Sequence, residues 1–212
     1  MPQPRVRKYQ AAPAGFTLIE VMVAVTVLTI GLMASALLMT TTYQYSVRSR
    51  YMAEAAQLAS EKLEDLNRYP QADEHVTVPS GANTCGTTGI TCEGSITQDL
   101  TPQTITVSGT DFTVNYYDSV YLSAANGVMN ETYQTAVGSS PQYSTLTYSP
   151  NGQTPTISTS STAPTTGETF DRRWVIEQDQ PVTGVRRVTV LVTLMDATIS
   201  PAVTFQMSMV RP

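Results

Sequence analysis

The feature that constrains this chain most is a nearly uncharged run over residues 16–39, in which Glu20 is the only charged residue and proline does not occur. A helix needs about 20 mostly apolar residues to cross a bilayer, so this run predicts a membrane-spanning helix. Arg5, Arg7 and Lys8 precede it, and by the positive-inside rule the N-terminus stays cytoplasmic. A carboxylate near one end of such a span is costly without a partner, which marks Glu20 as a candidate functional residue.

Two interpretations of Glu20 are open. In the local one, Thr17 and Glu20 form a Thr-x-x-Glu capping box, in which the carboxylate reaches back to an unpaired backbone N–H at the start of the helix. The carboxylate would also interact favourably with the positive end of the helix dipole. In the other interpretation Glu20 has a partner in a second molecule, and the argument for it comes from the motif that contains Glu20.

Residues 15–20 read Gly-Phe-Thr-Leu-Ile-Glu and lead directly into the apolar run. This segment resembles the cleavage site of the type IV pilin and pseudopilin superfamily, and every position of that motif is filled. The resemblance implies that a prepilin peptidase cuts after Gly15 and that the new N-terminal residue, Phe16, is methylated. It also implies that Glu20 meets the N-terminal amine of a neighbouring subunit during filament assembly.

Residues 1–15 are interpreted as a leader peptide that takes no part in the fold. An ordinary secretory signal peptide is the competing interpretation, but the apolar run is too long for a signal core and no Ala-x-Ala-type site follows it. The expected cut lies on the cytoplasmic side of the membrane. It leaves the transmembrane and assembly helix, residues 16–39, attached to the mature protein.

The helix is predicted to continue as an amphipathic segment over residues 40–69. Apolar residues recur there at three- and four-residue steps on one face, at Met52, Ala55/Ala56, Ala59, Leu63 and Leu66. The Tyr69-Pro70 step should end the helix, because proline disfavours helical backbone at the residue before it. Within the span, Gly31 and Ser35 form a small-xxx-small pair, a pattern that permits close contact between helices.

Residues 70–212 predict a β-rich globular head. Residues 172–178, 185–195 and 202–210 indicate three strands, and residues 104–107 and 112–117 indicate a hairpin around a turn at 108–111. In the last strand, four apolar residues alternate with polar or small ones and predict one buried face: Val203, Phe205, Met207 and Met209. We therefore expect an α+β fold, with the long N-terminal helix packed against an antiparallel sheet. That arrangement resembles the pilin head.

Residues 118–170 are harder to place, because they are rich in Ser, Thr, Tyr, Gly and Pro and contain few aliphatic residues. Residues 154–166 approach low complexity and predict a long exposed loop. Six tyrosines allow two interpretations, a binding surface or half-buried strand residues: Tyr116, Tyr117, Tyr121, Tyr133, Tyr143 and Tyr148. The preference of tyrosine for strands favours the second interpretation.

Cys85 and Cys92 are the only cysteines, and turn-forming residues surround them. The head should face an oxidising compartment, so a disulfide that closes a short loop is expected. A metal site is less well supported, since no histidine or second cysteine pair lies nearby. A redox pair is also less well supported, because the spacing is not Cys-x-x-Cys.

The chain is acidic, with a formal net charge of −5 at pH 7. Removal of residues 1–15 takes away three basic groups and no acidic ones, which leaves about −8. This charge disfavours bulk attraction to nucleic acid. A local exception stays open, because the arginine pairs at 172–173 and 186–187 would form a positive patch if their strands converge. Adjacent strand residues point to opposite faces, however, so each pair would contribute at most one arginine.

The sequence gives little support for an enzyme. His75 is the only histidine, and no Ser/His/Asp set or metal cluster surrounds it in the sequence. No glycine-rich phosphate loop and no Asp-x-Asp-type calcium loop are present. We therefore expect a structural protein without catalytic residues, cofactor or metal, in which His75 is an exposed linker residue.

A second segment adds a looser resemblance. Residues 172–175 read Arg-Arg-Trp-Val and residues 188–190 read Val-Thr-Val, which is similar to the minor pilins of the type IV pilus modification group. The protein so implied is a minor pilin with one inner-membrane span and a periplasmic head, later part of a pilus or pilus-like fibre at the cell surface.

The partners implied by these resemblances are other pilins or pseudopilins, met through the N-terminal helix, together with the prepilin peptidase and the inner-membrane assembly platform. Two alternatives stay open. One is a minor pseudopilin of a type II secretion system. The other is a fibre-tip subunit whose residues 118–170 bind a surface or DNA.

Overall fold

The computed structural model describes residues 15–77, 103–125, 128–136, 140–149, 154–178 and 181–212. The chain divides into two compact units, Met1–Val47 and Arg48–Pro212. Cys85, Cys92 and the disulfide expected between them lie outside the described residues.

One long helix, α1, spans Leu18–Arg68. It begins after Thr17, whose hydroxyl accepts a hydrogen bond of 3.3 Å from the backbone N–H of Glu20, as an N-cap residue does. It contains no proline and ends immediately before the Tyr69-Pro70 step, as the sequence predicted. The helix is long and apolar enough to cross a membrane, with a window of mean hydropathy 2.4.

In the unit Arg48–Pro212, α1 buries one stripe of side chains: Tyr51, Ala55, Leu58, Ala59, Leu63 and Leu66. Their three- to four-residue spacing is that of an amphipathic helix. The predicted stripe is confirmed at four positions, whereas Met52 and Ala56 are half-buried. Tyr51 contacts the sheet, since its ring centroid lies 6.5 Å from that of Phe170.

The described strands are β1 (Gln103–Val107), β2 (Thr110–Val114), β3 (Tyr117–Ala125), β4 (Val128–Ala136), β5 (Gln142–Tyr148), β6 (Thr156–Ser160), β7 (Glu168–Gln178), β8 (Arg186–Leu194) and β9 (Thr204–Arg211). Seven of them form one antiparallel sheet in the spatial order β6-β5-β4-β3-β7-β8-β9, and β1 pairs with β2 in a separate hairpin. The three C-terminal strands predicted from the sequence are thus confirmed as β7, β8 and β9.

The core lies between α1 and one face of this sheet. Val188, Val190 and Val192 alternate along β8 and are completely buried, as is Phe170 on β7. Alternation places these side chains on the same face, which the helix covers. The fold is therefore α+β, with a long apolar N-terminal helix and an antiparallel sheet, as the sequence predicted.

The β1–β2 hairpin is tighter than predicted. Its turn consists of Ser108 and Gly109 alone, with φ of 51° and 83°, and a two-residue turn with both φ values positive matches the twist of paired strands. Tyr117, expected at the end of this hairpin, instead begins β3.

Residues 118–170 hold most of β3, all of β4, β5 and β6, and the start of β7. The loop predicted at 154–166 is wrong in part because β6 lies within it. β6 pairs with β5 over five residues without a bulge. All five of its side chains are exposed. Four of these residues are Ser or Thr, and the single aliphatic residue, Ile157, is exposed. The alternation of apolar and polar residues that would reveal a strand is therefore missing.

Gly167, directly before β7, is required by a close approach of the chain to β3. Its φ is +110°, and a Cβ atom there would lie 2.3 Å from the carbonyl oxygen of Leu122 on β3. Only glycine combines this backbone conformation with that separation.

β9 forms the other edge of the sheet, and its predicted buried face is only partly covered. Val203, just before the strand, is 1% exposed, but Met207 is 37% exposed. The sequence did not predict that the last residue of the strand, Arg211, is buried.

Candidate processing and assembly segment

The expected cleavage point lies in non-helical backbone just before α1. Gly15, Phe16 and Thr17 precede the first helical residue, and the side chain of Phe16 is 83% exposed. A Cβ atom at Gly15 would meet nothing within 4 Å. The Gly15–Phe16 bond therefore has the exposed, irregular geometry that peptidases cut most readily.

Glu20 lies in the first turn of the helix, with its side chain exposed. Half of the capping box is present, because Thr17 accepts a hydrogen bond from the backbone N–H of Glu20. The reciprocal bond is not formed, and within the described residues the Glu20 carboxylate has no hydrogen bond or ion pair. The cap thus accounts for Thr17 but leaves the carboxylate of Glu20 free to interact with another group.

The described part of the first unit, from Gly15 onward, presents a largely apolar surface. Every side chain from Gly15 to Ser46 is exposed, including large apolar ones such as Leu18, Ile30 and Leu38, which are 81%, 70% and 69% exposed. Monomeric soluble proteins rarely expose apolar patches of more than a few hundred Å². This surface needs either lipid or other helices to cover it.

The hydroxyl groups in this stretch do not oppose burial, because they bond to the helix itself. Thr26 donates to the carbonyl of Val23 at 2.8 Å and Ser35 to that of Gly31 at 2.9 Å. Thr29, Thr40, Thr41 and Thr42 do the same. In an apolar environment, polar groups must form their hydrogen bonds within the protein. The sequence identifies these hydroxyl residues, but only the structure shows which carbonyls accept their hydrogen bonds.

A cluster of charged side chains, Lys62, Asp118 and Arg172, joins α1 to the sheet. Arg172 on β7 donates two hydrogen bonds of 2.7 Å to Asp118 on β3, and Lys62 on α1 lies 3.3 Å from the same carboxylate. Lys62 also sits 4.0 Å above the ring of Trp174. Burial lowers the pKa of the Arg172 guanidinium and Asp118 raises it, with a net upward shift.

Two arginines bind backbone carbonyls at the C-terminal end of α1 and in the segment that follows it. Arg211 donates hydrogen bonds of 2.8 Å and 2.6 Å to the carbonyls of Leu66 and Tyr69, and Arg186 donates to those of Gln71 and Val76. Cations at this end of a helix satisfy unpaired carbonyls and oppose the negative end of the dipole. Burial, together with the nearby Arg211, lowers the pKa of Arg186.

The positive patch considered from the sequence is not formed by these arginines. Arg172 pairs with Val192 across the strands and Arg186 with Gln178, so the two do not converge. Arg172 and Arg173 are 4% and 6% exposed, and Arg187 donates to Glu177 at 2.6 Å. Their charges serve contacts inside the head and are not available as a surface for DNA.

His75 is exposed, as predicted, but it is part of an ordered turn. Asp73 caps a short 3-10 helix at Glu74–Val76. Its carboxylate accepts hydrogen bonds from the backbone N–H and the ring of His75. The His75 ring stacks on the ring of Tyr69, with their centroids 4.4 Å apart. Burial raises the pKa of Asp73, but the bonds to His75 outweigh it and the net shift is downward. The potential ligand atoms of Asp73, Glu74 and His75 lie within 4.8 Å of one another, a proximity that the turn itself explains.

The tyrosines follow the half-buried interpretation at five of the six positions. Tyr143 is buried, Tyr116, Tyr117, Tyr121 and Tyr133 are half-buried, and Tyr148 is exposed. Tyr133 donates to Glu61 on α1 at 2.8 Å, and burial, followed by hydrogen bonds to Glu131 and Glu61, raises its pKa. These side chains mainly pack the sheet and do not form a single binding surface.

Comparison with known protein families gave one match, which lies at this segment. A family model described as the prokaryotic N-terminal methylation motif matches residues 12–36. The match covers Gly15, Phe16 and Glu20 together with the first part of α1. A comparison with curated proteins found no match, and a comparison with solved structures found none either.

Proposed function

We propose that this chain, whose N-terminal methylation motif supports membership of the type IV pilin and pseudopilin superfamily, is a minor pilin. It would serve as a structural and assembly subunit of a type IV pilus or pilus-like fibre. Proteins with this motif are structural rather than catalytic. The apolar helix together with the motif indicates anchoring in a membrane.

The observation that carries the proposal is the position of the motif in the structure. The motif lies at the N-terminal end of a helix whose side chains from Gly15 to Ser46 are all exposed. A prepilin peptidase cuts the exposed bond after Gly15, and Phe16 becomes the methylated N-terminus. The span stays attached, so the same helix holds the subunit in the inner membrane and later packs against other pilins.

Glu20 then acts in assembly. Its carboxylate is exposed in the first turn of the helix and has no partner within the described residues. In an apolar fibre core it pairs with the Phe16 amine of an adjacent subunit. Loss of one partner from such a desolvated pair costs about 3–5 kcal/mol, because the other charge is left buried alone.

The assignment as a minor pilin of the type IV pilus modification group rests on the second resemblance, at residues 172–175 and 188–190. The structure brings these segments together, since Trp174 on β7 pairs with Val190 on β8. The route is then an inner-membrane anchor with a periplasmic head, transfer by the assembly platform, and a final position in a fibre at the cell surface.

The experiment that tests this proposal is intact mass measurement and N-terminal sequencing of the protein from membranes of cells with and without prepilin peptidase. We expect a chain that begins at methylated Phe16 only where the peptidase is present. A chain that retains residues 1–15 in both strains would overturn the proposal.

A matched pair of glycine variants tests whether cleavage depends on Gly15 itself. Gly15→Leu and Gly31→Leu place the same side chain at two positions where a Cβ atom meets nothing within 4 Å. We expect Gly15→Leu to remain uncleaved and Gly31→Leu to be cleaved normally. Cross-linking of the processed protein to fibre subunits, in strains that lack either pili or type II secretion, then distinguishes a pilin from a pseudopilin.

A further inference from the structure

The last strand at one side of the main sheet, β6, has an open edge. It pairs with β5 over five residues, and no second strand among the described residues pairs with it. In an antiparallel sheet, alternate residues of an edge strand direct their N–H and C=O groups away from the sheet. These groups of β6 are therefore placed to pair with a further strand.

β6 lacks the features by which proteins protect the edge of a sheet. Such features are charged side chains, proline, a β-bulge or a very short strand. β6 reads Thr-Ile-Ser-Thr-Ser, without charge or proline, and its register with β5 is regular over its whole length. Its five residues extend over about 17 Å, which is an ordinary strand length.

The uncharged surface extends beyond β6. Residues 132–167 contain no Asp, Glu, Lys, Arg or His, although 14% of the chain is charged. Both β5 and β6 lie completely within this run. A strand that approaches the edge meets no charged side chain on either of these two strands, and a charged residue of its own would find no opposite charge on them.

Both faces of β6 are accessible to a partner. All five side chains are exposed, so no packed layer blocks the addition of a strand. Ile157 is 71% exposed and Tyr148, on the neighbouring strand β5, is 36% exposed. An added strand would cover part of Ile157, so that burial of apolar surface adds to the backbone hydrogen bonds.

Self-pairing of β6 between two copies of this chain does not fit the helix. Two identical strands that pair in antiparallel fashion are related by a two-fold axis perpendicular to the sheet. Such an axis reverses any helix that lies on the sheet, as the segment 51–66 of α1 does. The helices of the two copies would then run in opposite directions, whereas anchoring in one membrane or packing in one fibre requires the same direction.

We propose that β6 pairs with an uncharged edge strand in the head of a neighbouring pilin, so that one sheet continues across the subunit boundary. Backbone N–H···O=C bonds carry this contact, as in other cases of strand addition to a sheet edge. The inference rests on the proposed function, because a neighbouring pilin is met in the fibre. It deepens that function by naming the surface of the head that contacts the neighbour.

Photo-cross-linking in fibres locates the contact. We would place p-benzoylphenylalanine at Ile157 on β6 or at Val182, between β7 and β8, in the full-length chain expressed in piliated cells. The two side chains have similar exposure, 71% and 63%. We expect a cross-link from Ile157 to an edge strand in the head of another pilin, and none from Val182. The yield should not change with salt in sheared fibres, because the bonds join neutral groups.

Paired lysine variants test whether the open edge contributes to assembly. Ser158→Lys places a charge in the middle of β6, as protected edges do. Thr104→Lys places the same charge on β1, outside the main sheet, and both side chains are exposed. We expect Ser158→Lys to lower the content of this chain in sheared fibres by at least about fivefold, with processing unchanged. Thr104→Lys should leave it unchanged.

Three outcomes would overturn this inference alone. One is the absence of a cross-link from Ile157 although the chain is present in fibres, another is a cross-link from Ile157 to β6 of a second copy, and the third is equal fibre content of the two lysine variants. Absence of the unsubstituted chain from fibres would overturn the proposed function as well. N-terminal sequencing of the same samples reports separately on processing at Gly15, so the two failures are distinguishable.

Discussion

Asp118 on β3 and Arg172 on β7 lie opposite each other in the sheet and are joined by two hydrogen bonds of 2.7 Å. Both residues are buried, at 7% and 4% exposure. Lys62 reaches the same carboxylate from α1. One carboxylate therefore compensates a cation from the sheet and a cation from the helix, which links the two layers of the head.

Substitution of Asp118 should destabilise the head strongly. Asp118→Ala leaves the buried Arg172 without its carboxylate, whereas Lys62 keeps the longer contact with Asp65 at 3.7 Å. Removal of one partner from a buried pair costs about 3–5 kcal/mol. Urea unfolding of the mature chain, followed by Trp174 fluorescence, measures the change. Glu54→Gln is the control, because it breaks the exposed pair with Arg50, which is worth at most about 1 kcal/mol. Similar losses in the two variants would show that the buried cluster has no special role.

Arg211 should stabilise the end of α1 through its bonds to the carbonyls of Leu66 and Tyr69. We expect Arg211→Ala to lower the free energy of unfolding by about 2 kcal/mol, since a charged hydrogen bond contributes about 1.5–3 kcal/mol. Amide hydrogen exchange in the last turn of the helix should also accelerate. Arg211→Lys keeps the charge but not the fork of two donors, so full rescue by lysine would mean that charge alone stabilises the helix end.

Gly167 should not tolerate a side chain, whereas Gly184 should tolerate one at modest cost. Both have positive φ, of +110° and +86°, but only Gly167 would place a Cβ atom against a backbone oxygen. We expect Gly184→Ala to cost about 1 kcal/mol from backbone strain. Gly167→Ala should cost at least about 3 kcal/mol, because the clash adds to the strain. Thermal unfolding of the two variants measures the difference, and equal melting temperatures would contradict the close approach of β3 and β7.

The head should lose stability at alkaline pH through the half-buried Tyr116. Burial raises the pKa of Tyr116 to about 12, from an ordinary value of 10.0. A group whose pKa is raised on folding contributes stability that is present below its unfolded pKa and is lost as the pH rises through the folded value. The free energy of unfolding should therefore fall between about pH 10 and pH 12.

Tyr116→Phe tests the assignment of this alkaline loss. The variant lacks the bond from Tyr116 to the carbonyl of Thr77 and should be less stable at neutral pH. Its stability should nevertheless depend less steeply on pH in the alkaline range. Chemical denaturation at a series of pH values measures the slope, and an unchanged slope would assign the loss to other tyrosines.

Glu20 and Thr17 can be separated by paired variants. Glu20→Ala should insert into the membrane and be exported but fail to enter fibres, because the Phe16 amine of the neighbouring subunit loses its partner. Thr17→Val removes the hydroxyl that caps the helix and should cost only about 1 kcal/mol of helix stability. Fibre content, measured by immunoblot of sheared fibres, should fall for Glu20→Ala only. Equal loss in both variants would favour the capping interpretation of Glu20.

The elements predicted correctly are those with a strong local pattern. The length of α1 was predictable because the apolar run is followed by apolar residues at helical spacing, and because Pro70 ends the helix. β8 was found because a run of β-branched residues marks it, and β7 because Trp174, Val175 and Ile176 are consecutive strand-forming residues. β6 was missed because its serines and threonines are all exposed, and the loss of alternation in β9 follows from its position at the edge of the sheet.

The sequence by itself determined the motif at residues 15–20, the apolar helix and the α+β class, because each depends on residues close together in the chain. Only the tertiary structure decided what the charged residues do. Arg172 bonds to Asp118 across 54 positions of the chain and Arg211 to Leu66 across 145. Such partners are chosen by the packing of helix on sheet, and no local pattern of residues encodes which distant groups that packing brings together.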